Sequence, residues 1–174
     1  MKLRHVIIFL FLLKESAVLG FNTDSRSMAL SHSNVAMNTT FGWNENLASL
    51  ANSSFNGFCI SHQFNYFVKD LNVSSIQFSH SITKNSIVQS SVDYSGNSIY
   101  NEVNIRIGYG KKLGDKINGA LSLNYQQHQF SDNNYTNFPV ATATIYLFAK
   151  ATNKIHLGCL IDNPTRAKLD NSQN

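Results

Sequence analysis

From residue 58 onward, apolar and polar side chains alternate with a period of two. Phe58, Ile60, His62, Phe64 and Tyr66 fall on one face, and Cys59, Ser61, Gln63 and Asn65 on the other. Ile76, Phe78, His80 and Ile82 alternate with Gln77, Ser79 and Ser81. Val88, Val92 and Tyr94 oppose Gln89, Ser91 and Asp93, and Val103, Ile105, Ile107 and Tyr109 oppose Asn104, Arg106, Gly108 and Gly110. Ile117, Leu121, Leu123 and Tyr125 oppose Asn118, Ser122, Asn124 and Gln126. Residues 140–150 and 155–161 continue the pattern less cleanly. Successive strand side chains point to opposite faces, so this period predicts strands. Turns are expected at residues 83–86, at Gly114-Asp115-Lys116 and at Thr152-Asn153-Lys154, with a polar loop over 130–138. The prediction is an all-β, antiparallel up-and-down meander of about seven strands.

Ahead of the strands the pattern changes. Residues 46–51 suit one or two helical turns, and 21–34 read as polar loop. The first residues, Met1-Lys2-Leu3-Arg4, are basic, and residues 6–13 form an unbroken apolar run of eight. That run is long enough for a signal-peptide core and too short to span a bilayer as a helix. Val18-Leu19-Gly20 places cleavage after Gly20. The expected organisation is a signal peptide over 1–20, an N-terminal segment with a short helical element over 21–57, and strands over 58–174.

Composition sharpens this picture. Charged residues are only 14% of the chain, whereas 22 Asn and 21 Ser make it polar without charge. The formal charge of +4 falls to +2 without the first twenty residues, which hold Lys2, Arg4, Lys14 and Glu15. No basic run exceeds Lys111-Lys112, so nucleic acid is not an expected partner. Alternation alone leaves two readings open. A soluble sandwich turns its apolar face inward, whereas an outer-membrane barrel turns it to lipid and lines its interior with polar groups. The Ser, Asn, Gln, Gly and Thr set on the second face favours the barrel. So do the strand lengths and the aromatics near strand ends (Tyr66, Phe67, Tyr94, Tyr100, Tyr109, Tyr125, Phe148).

Candidate chemistry is sparse. Glu45, Asp93, Glu102, Asp132 and Asp162 are too scattered to form an acid–base couple. Gly108-Tyr109-Gly110-Lys111-Lys112 lacks the spacing and hydroxyl of a phosphate loop. His62 and His80 share a face type on adjacent strands and are expected to meet as a cross-strand pair, without the third ligand a metal needs. Arg106 and Glu102, four apart on one strand, are expected to form an interior ion pair. Cys59 belongs to the polar set and Cys159 to the apolar set, so two separate thiols are expected. No residue is assigned to catalysis, a cofactor or a metal, and the chain is not expected to be an enzyme.

Several stretches resemble one known family. They are Arg26-Ser27-Met28-Ala29 with Asn34-Val35-Ala36, residues 43–51, 64–72, 98–102 and 108–116, and Asn163-Pro164-Thr165-Arg166-Ala167-Lys168-Leu169. Together they resemble the PorV/PorQ-like outer-membrane barrels of Bacteroidota, which are associated with type IX secretion and distantly related to FadL-type long-chain fatty-acid transporters. The resemblance implies an exported protein of the bacterial outer membrane. Its expected partners are membrane lipid and secretion-system proteins, and its expected role lies near type IX secretion or in passage of a hydrophobic solute. Two departures stand out. The N-terminal segment is poorer in Gly than the family's, and Asn174 closes the sequence without the family's later strands or terminal aromatic. A truncated product or a smaller relative is therefore expected. The alternative is a secreted or periplasmic soluble β-sandwich that binds a partner through its loops.

Overall fold

In a computed structural model of the chain, the described residues are 35–37, 46–52, 55–65, 68–132 and 137–167. The expected signal peptide and the polar stretch over 21–34 lie outside them. Seven strands follow one another: β1 (Gly57–Gln63), β2 (Val73–Thr83), β3 (Ser86–Gly96), β4 (Tyr100–Lys112), β5 (Ile117–Phe130), β6 (Phe138–Lys150) and β7 (His156–Asp162). They form one antiparallel sheet in the order β1-β2-β3-β4-β5-β6-β7, and β1 does not reach β7 to close it. The fold is the all-β meander that the alternation predicts.

The paired strands are longer than the alternation alone suggests. β5 runs on to Phe130, through Gln126, Gln127 and His128, because β4 continues to pair with it up to Tyr100. Backbone hydrogen bonds persist there although the side-chain pattern fades. In contrast, β1 stops at Gln63 rather than reaching 66, where Asn65 takes over by donating to the Leu71 carbonyl at 2.9 Å. Tyr66 itself lies outside the described residues.

The two ends of the sheet differ. At one end the connections are short: 84–85, 113–116 and 151–155. Side chains close these turns. Thr83 Oγ1 accepts the Asn85 N–H at 3.2 Å, and Thr152 Oγ1 accepts those of Lys154 and Ile155 at 3.2 and 3.0 Å. At the other end, two of the three connections, 64–72 and 131–137, are longer. After β7, Asn163 holds a turn with its side chain bonded to both backbone groups of Ala167 at 2.9 Å.

The strands are also staggered. Gly57, Ser79, Gln89, Gly108, Ser122, Thr144 and Asp162 pair in succession and form one row across the sheet. From this row β1 extends toward the longer loops and β7 toward the short turns. Such a progressive offset is the shear that tilted strands need to wrap a barrel.

Candidate functional site

The outer face is apolar and uncovered. Three neighbouring rows contain little else: Ile60–Ile76–Val92–Ile105–Tyr125–Ala141, then Phe58–Phe78–Ser90–Ile107–Leu123–Ala143, then Val88–Tyr109–Leu121–Ile145–Ile161. Phe58 is 71% exposed, Ile60 68% and Leu123 59%. The apolar patch of a typical soluble monomer covers only about 300–600 Å². Here it follows all seven strands. His62 and His80 sit at opposite ends of this face, and the expected pair does not form. His62 bonds the Ser74 hydroxyl at 2.9 Å and meets Phe64 edge-on, while His80 stacks on Phe78. The β1–β2 register places His62 opposite Ser74, which separates the two imidazoles by most of β2.

The inner face is polar and buried. Ser75, Ser79, Gln89, Ser91, Asp93, Asn104, Asn118, Ser122 and Thr144 are all closed off from solvent. Arg106 Nη2 donates to Asp93 Oδ2 at 2.6 Å, and the Ser75 hydroxyl donates to Asp93 Oδ1. The expected Arg106–Glu102 pair is therefore replaced by a cross-strand pair. Asp93 faces Asn104, one step along β4 from Arg106, whereas Glu102 is drawn to Tyr100 and His128. A buried charge needs a partner at short range, and register decides which carboxylate is nearest. Beside this pair, Asn124 Nδ2 donates to Thr144 Oγ1 at 2.9 Å and Thr142 Oγ1 at 3.2 Å. Thr144 in turn donates to Asp162 at 2.6 Å. On the β2–β3–β4 wall, Ser79 Oγ, both amide atoms of Gln89, Ser91 Oγ and Asn104 Oδ1 have no hydrogen-bond partner among the described residues. Buried polar groups of this kind call for water.

A small apolar plug fills the short-turn end. The 3-10 helix Leu47–Asn52 lies against Ile87, Tyr146 and Phe148, burying Leu47, Ala48 and Leu50. The helical turns expected over 46–51 are thus present. Asn46, which the sequence did not single out, anchors the helix. Its Oδ1 accepts the Ala48 N–H at 3.0 Å, and its Nδ2 donates to the Leu147 and Val35 carbonyls at 2.8 and 2.9 Å. Glycines make room for the plug: a Cβ on Gly108 would stand 2.5 Å from Leu47 Cδ2, and one on Gly158 2.2 Å from the Val35 oxygen. At the opposite end the Tyr100 hydroxyl bonds Glu102 at 3.2 Å and His128 Nδ1 at 2.7 Å, with Phe130 tilted against Tyr100 and Phe138 stacked on His128.

No family model, curated protein or solved structure matches this chain. The geometry therefore has to carry the functional reading. Both cysteines are free; Cys59 pairs with inward Gln77 and Cys159 with outward Leu147, which separates them as expected. Asp132 lies in the 131–137 connection and Glu102 on β4 opposite His128, and Glu45 lies outside the described residues. No helix among the described residues is long and apolar enough to cross a membrane, which says nothing about strands.

Proposed function

We propose that this protein is an exported outer-membrane β-barrel protein whose apolar face meets lipid. The observation that carries the reading is the inversion of polarity: amides, hydroxyls and an ion pair are buried on one face of the sheet, and large apolar side chains are exposed on the other. In water this arrangement wastes the main driving force of folding. In hydrocarbon it satisfies both faces, because lipid covers the apolar one and the curled sheet encloses the polar one. The central strands, of 11 to 14 residues, exceed the 9–11 or so that a tilted strand needs to cross a bilayer. Short connections at one end and longer ones at the other also suit an outer-membrane barrel.

Within that class, the stretches similar to PorV/PorQ-like barrels support a secretion-associated role. The polar interior, blocked at one end by Leu47 and Phe148, suits a barrel that works through its outer surface and loops more than a conduit for hydrophobic solute. A soluble sandwich would need a second layer over the apolar face, and none of the described residues supplies it.

Depth-dependent fluorescence quenching tests the membrane reading. A label at Ile105 is expected to be quenched by brominated acyl chains, and one at Asn104 is not. Quenching at 104 without quenching at 105, or at neither, would overturn it.

A further inference from the structure

Positive charge gathers at the short-turn end of the sheet. Lys84 lies in the β2–β3 turn, Lys116 in the β4–β5 turn and Lys154 in the β6–β7 turn, while Lys111, Lys112 and Lys150 occupy the adjoining ends of β4 and β6. The sequence scatters these residues over three segments, and the topology brings them to one rim. The Lys112 N–H donates to the Asn85 carbonyl at 2.8 Å, and the Lys150 N–H to the Lys116 carbonyl at 2.8 Å, so neighbouring turns are stitched together through their backbones. Lys84, Lys111, Lys116 and Lys154 are exposed. Among the described residues the one acid at this end is Asp115, which stands 3.6 Å from Lys112. The opposite end has no such excess, since its connections carry Lys69, Asp70 and Asp132.

The rim also borders the apolar face. On β4 the outward series Ile105, Ile107, Tyr109 runs on to Lys111, which lies about 6–7 Å beyond Tyr109 along the strand. Leu113, Ile117 and Ile155 are exposed among the lysines. An aromatic ring at the edge of an apolar band suits the boundary between hydrocarbon and headgroups. A lysine just past it can lay its stem on the apolar side and carry its ammonium to the water.

We infer that this rim is a binding surface for anionic phospholipid headgroups, in the leaflet that meets the short turns. The ammonium groups take the phosphates, and Leu113, Ile117 and Ile155 rest on the upper acyl chains. Charge complementarity alone would also admit an acidic protein. The interleaved apolar side chains favour lipid, which offers phosphate and hydrocarbon at nearly the same depth.

This inference rests on the membrane reading, and the test separates the two. The full chain, with both native cysteines changed to Ser, carries a fluorophore on Leu113→Cys, on Ile99→Cys at the opposite end, or on Ile105→Cys. It is reconstituted in phosphatidylcholine vesicles in which about a tenth of the lipid is brominated near the headgroup end of its acyl chains. The brominated lipid is either phosphatidylglycerol or phosphatidylcholine, and both leaflets have the same composition, so the direction of insertion does not matter. At residue 113 the phosphatidylglycerol is expected to associate about tenfold more favourably than the phosphatidylcholine, and at residue 99 the two are expected to be equal. Salt at 1 M, which shortens the screening length to about 3 Å, should bring the ratio at 113 close to one without any substitution. Changing Lys84→Gln, Lys111→Gln, Lys116→Gln and Lys154→Gln together should do the same. Three results overturn the inference: equal ratios at the two ends, a preference at 113 that survives salt or the four substitutions, or no quenching at 113 by either lipid. The last would leave the rim to an acidic protein or to solvent. The Ile105→Cys label, read with phosphatidylcholine brominated at mid-chain, reports on the membrane reading separately. If it is quenched while any of the three occurs, only the lipid-binding rim fails. If it is not, the membrane reading fails and the rim with it.

Discussion

Asp93 is the residue on which the interior turns. Its carboxylate is fully buried between the Arg106 guanidinium and the Ser75 hydroxyl. Removing one member of such a pair strands the other charge, at a cost of about 3–5 kcal/mol. Arg106→Leu is therefore expected to lower the unfolding midpoint in urea sharply, with Asp93→Asn in the same chain recovering much of the loss. Equal instability of the single and double variants would show that the pair is not the source. The partner of Arg106 was not legible in the sequence. Arg106 and Glu102 stand four positions apart, and that spacing marks the same side of one strand. The choice of Asp93 depends on the offset between β3 and β4, which no local pattern encodes. The His62–His80 expectation failed for the same reason, since a shared face says nothing about position along the strand.

At the scale of elements, period-two alternation made the strands readable because each strand here separates its faces by polarity. Strand ends were less readable, since backbone pairing continues at Gln126 and Gln127 after the alternation stops. The plug was readable only as helical turns. That Asn46 would bond Leu147 in β6, 101 residues away, has no signature in the sequence. The inward glycines were the available hint: Gly108 and Gly110 follow one another on a polar face and vacate space where Leu47 lies. Gly158 vacates space for Val35 in the same way. Gly158→Ala forces backbone apart, and overpacking of this kind costs about 1–3 kcal/mol. The expected result is faster proteolysis and hydrogen exchange over Leu47–Asn52 with the central strands unchanged. If that segment stays as protected as before, its seat does not depend on the close approach at Gly158.

For the whole molecule, the two faces should respond oppositely to the same chemistry. Leu123→Arg puts a charge on the lipid side, and near the bilayer midplane this costs about 2–4 kcal/mol. Asn124→Ser, on the adjacent inward position, keeps a hydroxyl near Thr142 and Thr144 and should be mild. Folded yield into vesicles, scored by protease resistance, is expected to fall for the first and stay near the parent's for the second. The reverse order would mean that the faces are assigned the wrong way round.

The two thiols give the wall a built-in pair of reporters. Cys59 points to the polar side of β1 and Cys159 to the apolar side of β7, in one sheet and without a bond between them. Thiolate is the reactive form, and its formation requires water nearby. In vesicles, a charged, water-soluble maleimide should modify Cys59 in preference to Cys159, while an acyl-chain-soluble reagent that needs no aqueous thiolate, such as a lipophilic photolabel, should mark β7 around Cys159. Dissolving the bilayer in denaturant should erase the difference. A single wall would thus sort reagents by their solubility, one strand answering to the water and the other to the oil.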